Sequence, residues 1–116
     1  MNNASVEFAA DKLAEAFYQM STDKGFYDSL DMSEFNSQAK QLMMLTSEVV
    51  EVMEALRKDK GEAEVLAEMA DIFIRYLDFY AALVHAGVLP ANSLVPAIWD
   101  KYRKNAGRPG MHGVKG

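Results

Sequence analysis

Cysteine is absent from this chain of 116 residues, and only 3 prolines, 1 tryptophan and 2 histidines occur. Without cysteine there is no disulfide, no thiolate metal site and no cysteine nucleophile, which fits a reducing compartment. The scarcity of proline, with half of the residues apolar and a quarter charged, describes a folded globular chain rather than a disordered one. The N-terminus, MNNASVEFAADKLAEAF, lacks the basic start and unbroken apolar run of an export signal, carrying Glu7 and Asp11 instead. No long run is free of charge, because the most apolar segment, residues 65–86, is interrupted by Glu68, Asp71, Arg75 and Asp78. That argues for a core helix over a membrane span, and a cytoplasmic protein without membrane attachment is expected. Acid is missing from residues 101–116, which hold 5 of the 12 basic residues, whereas all 17 acids lie before them. An acidic body with a basic tail suits a ligand combining cations with anions, and disfavours nucleic acid as the partner.

What is present is helical patterning. Strand-like alternation and internal repeats are lacking, and the length suits one domain. The periodicity predicts a helix from about Ser5 to Met20, with Phe8, Leu13, Ala16, Phe17 and Met20 toward the core. A connection follows through Met32, with one short helical turn around Phe26 to Leu30. A second helix is expected from Ser33 to Asp59, with Leu42, Leu45, Val49, Val52, Met53 and Leu56 as its core stripe. A third runs to Ala86 and ends at Gly87, placed for a left-handed cap. The fourth starts between Pro90 and Pro96 and stops at Gly107. The fold class expected is an all-α bundle of four main helices with an antiparallel central hairpin. Met32, Met43, Met44, Met53 and Met69 sit at positions suited to packing.

In the third helix Glu68, Asp71, Arg75 and Asp78 recur at i, i+3, i+7 and i+10, a narrow charged stripe down an otherwise apolar helix. Buried carboxylates are costly unless a cation meets them. The second helix carries a similar line through Met44, Glu48, Glu51 and Ala55. Antiparallel packing would bring Glu48 and Glu51 opposite Glu68 and Asp71, and four converging carboxylates must share protons or bind divalent cations. Oxygen ligands without His or Cys select Mg²⁺, with Mn²⁺ as a substitute. Di-iron chemistry is disfavoured, since no acid of the set has a histidine three residues on. Arg75 and Asp78 read as an internal ion pair that orients the cluster. Lys101 and Asn105, i and i+4 on the fourth helix, could face one phosphate ligand with Arg108 just beyond. Either acidic pair alone is as well explained by a solvated helix face, as the basic residues are by solubilising charge.

The combination resembles the MazG-like all-α nucleoside triphosphate pyrophosphohydrolases, in the phage and mobile-element branch. The pattern ExxE, spacer, ExxD stands here as Glu48-Val-Val-Glu51, residues 52–67, and Glu68-Met-Ala-Asp71. The terminal segment KYRKNAGRPGMHGVKG is similar to a K-x-x-x-N-x-x-R-P block followed by HG-x-K. The likeness spans roughly residues 40–116. It implies a single MazG-like helical domain over 1–116, with 107–116 as a basic nucleotide-contacting tail. It further implies Mg²⁺-dependent cleavage of a (deoxy)nucleoside triphosphate between the α and β phosphates, in nucleotide-pool house-cleaning, by a homodimer or a dimer of dimers. Glu48, Glu51, Glu68 and Asp71 are then catalytic metal ligands, and Lys101, Asn105, Arg108, His112 and Lys115 contact substrate. Phe17 and Tyr18 are candidates either for base stacking or for the core. The sequence departs from many relatives at Met44 and Ala67, where a basic residue and an acid are usual. The alternative function is a helical regulatory module that binds nucleotide or metal without hydrolysis.

Overall fold

The chain forms α1 (Asn3–Asp23), α2 (Phe35–Arg57), α3 (Glu62–His85) and α4 (Leu94–Ala106), with no strand among the described residues. This computed structural model describes residues 3–109. The fold is the expected all-α bundle: α1 and α2 each pack on α3, and α4 lies against α1.

Backbone conformation accounts for the reversals. Between α2 and α3 the amide of Lys60 donates to the carbonyl of Ala55 (3.0 Å), Asp59 has φ 52° and Gly61 has φ 93°. A Cβ at Gly61 would meet nothing within 4 Å, so the left-handed backbone, rather than crowding, favours glycine there. Gly87, at φ 78°, ends α3 as expected, with the amide of Val88 donating to Leu83 O at 2.9 Å. Around Phe26 to Leu30 the chain makes successive turns rather than a helix, and α1 continues past Met20 to Asp23. Before α2, Asp31 Oδ1 accepts hydrogen bonds from the amide (3.0 Å) and hydroxyl (2.6 Å) of Ser33, which fixes the entry to the helix.

The core sits where α1 and α3 cross. Ala14, Leu77, Tyr80 and Ala81 are buried together, with Phe17, Tyr18, Val84 and Leu94 packed around them. Small residues at Ala14 and Ala81 let the helix backbones approach. Tyr80 ties in α4, its hydroxyl accepting a hydrogen bond from the Ser93 amide at 3.1 Å.

The predicted core stripes are out of phase in two helices. In α1, Leu13 and Met20 are 44% and 46% exposed, while Ala14 and Ser21, one position on, are buried. Apolar residues occur on several sides of α1, so periodicity leaves its rotation open. In α2 the expected stripe through Leu42, Val49, Met53 and Leu56 is exposed. Gln41 and Ala55 are the buried residues of this helix, and Glu48 and Val52 are half-buried. Met32 is buried as expected, but Met43, Met53 and Met69 are not. With α3 as its main neighbour, α2 covers one face and leaves a second apolar face open within the single chain.

Leu77→Ala removes a side chain from the α1–α3 crossing, where little can collapse to fill the space. It should lower unfolding free energy by about 3 kcal/mol, read from urea denaturation followed by far-UV circular dichroism.

Candidate active site

The antiparallel hairpin places the two acidic pairs on facing helices. Glu48 and Glu68 are half-buried, whereas Glu51 and Asp71 remain exposed. Partial desolvation pushes the Glu68 carboxyl above its ordinary range, and the charges of Glu64, Glu51, Asp71 and Glu48 push it the same way. Acids from both helices therefore act on one group. Glu54, one turn beyond Glu51, is engaged elsewhere: its Oε1 accepts from Arg57 Nη2 at 2.7 Å, which holds its carboxyl low.

Arg75 is a cation within this acidic face. Its Nε donates to Glu48 Oε2 at 3.2 Å, and its guanidinium carbon lies 5.6 Å from the centre of the Phe26 ring. The expected pair of Arg75 with Asp78 takes a different form. Asp78, 5% exposed, accepts hydrogen bonds from the Ser21 hydroxyl at 2.5 Å and the Tyr27 hydroxyl at 2.7 Å. Burial raises its carboxyl above the usual range, against the two hydroxyl donors and the charge of Arg75, which pull it down. Burial, with Asp78 as its acceptor, also raises the Tyr27 phenol, so that Tyr27 keeps its proton and donates it.

Beside these groups lies a cleft of about 250 Å³ at the end of α1, lined by Ser21, Lys24, Phe26, Glu48, Asp71, Arg75 and Asp78 among others. It brings two of the four predicted metal ligands, Glu48 and Asp71, into the lining of one open cleft. The donor set, all carboxylate oxygen, fits a hard divalent cation in chemistry. The acids are not gathered around a common point: among the described residues no group of three or more His, Cys, Asp or Glu side chains stands close enough to hold a metal ion.

The predicted phosphate contacts lie apart from this cleft. Lys101, Asn105 and Arg108 are exposed on and just beyond α4, which packs on α1, and they do not line the cleft. His112 and Lys115 lie outside the described residues. Phe17 and Tyr18 belong to the core margin rather than to the cleft. Tyr18 also stacks on His85 (centroids 4.3 Å apart), whose Nε2 meets Glu15 Oε1 at 2.6 Å, so His85 is a packed surface histidine. Sequence reasoning missed Ser21, Lys24, Phe26 and Tyr27. The available signal was Asp78 itself, since an acid inside an apolar helix demands hydrogen-bond donors, and the connection after the first helix is rich in them.

No family model, curated protein or solved structure matches the chain.

Because folding holds the Glu68 carboxyl above its unfolded value, the ionised form costs the folded state more than the unfolded one. The stability given by neutral Glu68 is full below the unfolded carboxylate value and is lost as pH rises through the folded one. In metal-free buffer Glu68→Gln should therefore melt at a higher temperature than the parent near pH 7. The gap should close toward about pH 4, as followed by scanning calorimetry.

Proposed function

We propose that the chain is a Mg²⁺-dependent pyrophosphohydrolase of (deoxy)nucleoside triphosphates, resembling the MazG-like enzymes, that releases the monophosphate and pyrophosphate in nucleotide-pool house-cleaning. The observation that carries this reading is the packing of α2 on α3, which sets Glu48 and Glu51 on one helix and Glu68 and Asp71 on its neighbour, with Glu48 and Asp71 lining one cleft. Mutual repulsion among these acids is relieved by a divalent cation between the helices.

Glu48, Glu51, Glu68 and Asp71 would hold the metal. When bound, Mg²⁺ neutralises charge on phosphoryl oxygens and makes a nearby water more acidic. The chain's own contribution is to position. One carboxylate of the set orients the attacking water or takes its proton. The cleft lined by Ser21, Lys24, Phe26 and Asp78 receives the nucleoside at the edge formed by Glu48 and Asp71. Lys101, Asn105 and Arg108, with His112 and Lys115 of the tail, grip phosphates.

The active form proposed is a homo-oligomer. On one side of the hairpin Leu45, Val49, Met69, Ile72, Phe73 and Tyr76 line an apolar groove of about 360 Å³. Val49, Met69 and Phe73 are 49%, 52% and 55% exposed, an extended apolar surface uncommon on a small monomer. A second copy fits it best, because a two-helix face is complementary to itself across a twofold axis. Such an arrangement would also let the cations of α4 serve a neighbouring site.

Purified protein incubated with Mg²⁺ and a panel of NTPs and dNTPs should yield monophosphate and pyrophosphate, resolved by ion-exchange chromatography. Glu51→Gln or Asp71→Asn should reduce turnover by at least about 100-fold. Bound nucleotide with no product from any substrate would instead support the non-hydrolytic regulatory module. Phe73→Asp should shift the protein to a monomer by light scattering, and an unchanged mass would exclude this face from assembly.

A further inference from the structure

The Arg75 guanidinium occupies two places that the proposed reaction needs. Its Nε is 3.2 Å from Glu48 Oε2, an oxygen of one of the carboxylates proposed above for the metal. The same group lies over Phe26, the aromatic face of the cleft proposed for the nucleoside. The Arg75 and Glu48 side chains are 25% and 19% exposed, so solvent screens their attraction less than that of a surface pair. A guanidinium and a divalent cation on one carboxylate repel each other, which favours departure of the guanidinium as the metal binds.

A destination for Arg75 exists on its own helix. Asp78 is three residues further along α3, so the two side chains emerge on one face, and Arg75 already lowers the Asp78 carboxyl through its charge. Each Asp78 oxygen accepts one hydroxyl hydrogen bond, from Ser21 or Tyr27, and a carboxylate oxygen has capacity for another. We infer that Arg75 is a displaceable counter-cation. It holds Glu48 while metal is absent, yields that carboxylate to the divalent cation, and turns toward Asp78, uncovering Phe26 for the nucleobase. Metal binding thereby precedes and promotes nucleotide binding. Arg75 is a positioning residue, and the inference rests on the metal-dependent reading of the site.

A merely supporting Arg75, one that orients Glu48 for the metal, would act in the opposite direction when removed. The deciding measurement is calorimetric titration of the nucleotide-free full chain with Mn²⁺, for the parent, Arg75→Gln, Arg75→Lys and Asp71→Asn. Displacement predicts Mn²⁺ binding about tenfold tighter in Arg75→Gln. Arg75→Lys should fall between it and the parent, since lysine keeps the charge without the fixed planar donors. In the unmodified protein the Arg75 side-chain N–H resonance should move on addition of Mg²⁺, a readout independent of how well any variant folds. Equal or weaker binding by Arg75→Gln, or an unmoved resonance at saturating Mg²⁺, overturns the inference. If Asp71→Asn weakens Mn²⁺ binding while Arg75→Gln leaves it unchanged, the displacement alone fails. If the parent binds no Mn²⁺, the metal reading fails and takes the displacement with it.

Discussion

Helix α3 has to serve as the packing surface for both α1 and α2 while carrying charge along its length, and the rest of the structure follows from how each charge is met. Asp78, the most deeply placed, lies close to the α1–α3 core and receives a hydroxyl from α1 and another from the following connection. These bonds do more than satisfy a carboxylate. They fix the end of α1 and the turns around Tyr27 against α3, which gives the cleft its walls. A buried charge of this kind contributes little net stability, yet removal of its partners is expensive, so it specifies an arrangement more than it strengthens one. Arg75, one turn earlier, meets Glu48 across the hairpin. Glu68, earlier still, has other acids as its charged neighbours instead. Among the described residues, compensation along α3 therefore declines toward its N-terminus, from the hydroxyls and Arg75 near Asp78 to the acidic neighbours of Glu68.

Much of this was legible in the sequence. Helix number, the central hairpin, the left-handed residue at Gly87 and the start of α4 between two prolines all follow from local signals, because caps and turns are decided by a few residues with definite backbone preferences. That the two acidic pairs lie on neighbouring packed helices was legible for the same reason, since a short reversal between two long helices sets them side by side, but their convergence on one point was not found among the described residues. Rotation of the helices about their axes was not. In α1 and α2 apolar residues cover more than one face, and the choice between Leu13 and Ala14, or between Leu45 and Leu42, depends on which partner is near. Ala14 and Ser21 win in α1 because small side chains allow closer contact with α3. The cleft was illegible from motif spacing, since Ser21, Lys24, Phe26 and Tyr27 belong to no repeated pattern and are assembled only by the crossing of α1 over α3.

The mis-phased stripe of α2 has its own physical content. Periodicity reports that Leu42, Val49, Met53 and Leu56 form a face adapted to burial, and the single chain leaves that face in water. Gln41 and Ala55 are buried instead and Glu48 is half-buried, a set with far less apolar area. A helix that turns its more polar side inward and its more apolar side outward is not optimised for the isolated chain. The pattern is consistent instead with two burial events, one within the hairpin and one outside it, and the first would be incomplete without the second.

These two unmet demands are neighbours. On α2, Glu48 and Glu51 alternate with Val49 and Val52; on α3, Glu68 and Asp71 alternate with Met69 and Ile72. Acidic and apolar faces of the same hairpin are thus separated by about a hundred degrees of helix rotation, the angle per residue of an α-helix. Rotating either helix to bury more apolar surface would also swing its carboxylates. A partner that held the apolar groove would therefore fix the angle at which the two acidic pairs confront each other, without touching them. Repulsion among the acids would work against that geometry, and a cation, were one bound there, would work for it. Association through the groove and cation binding between the helices would then stabilise the same rotation of α2 on α3, each making the other more favourable.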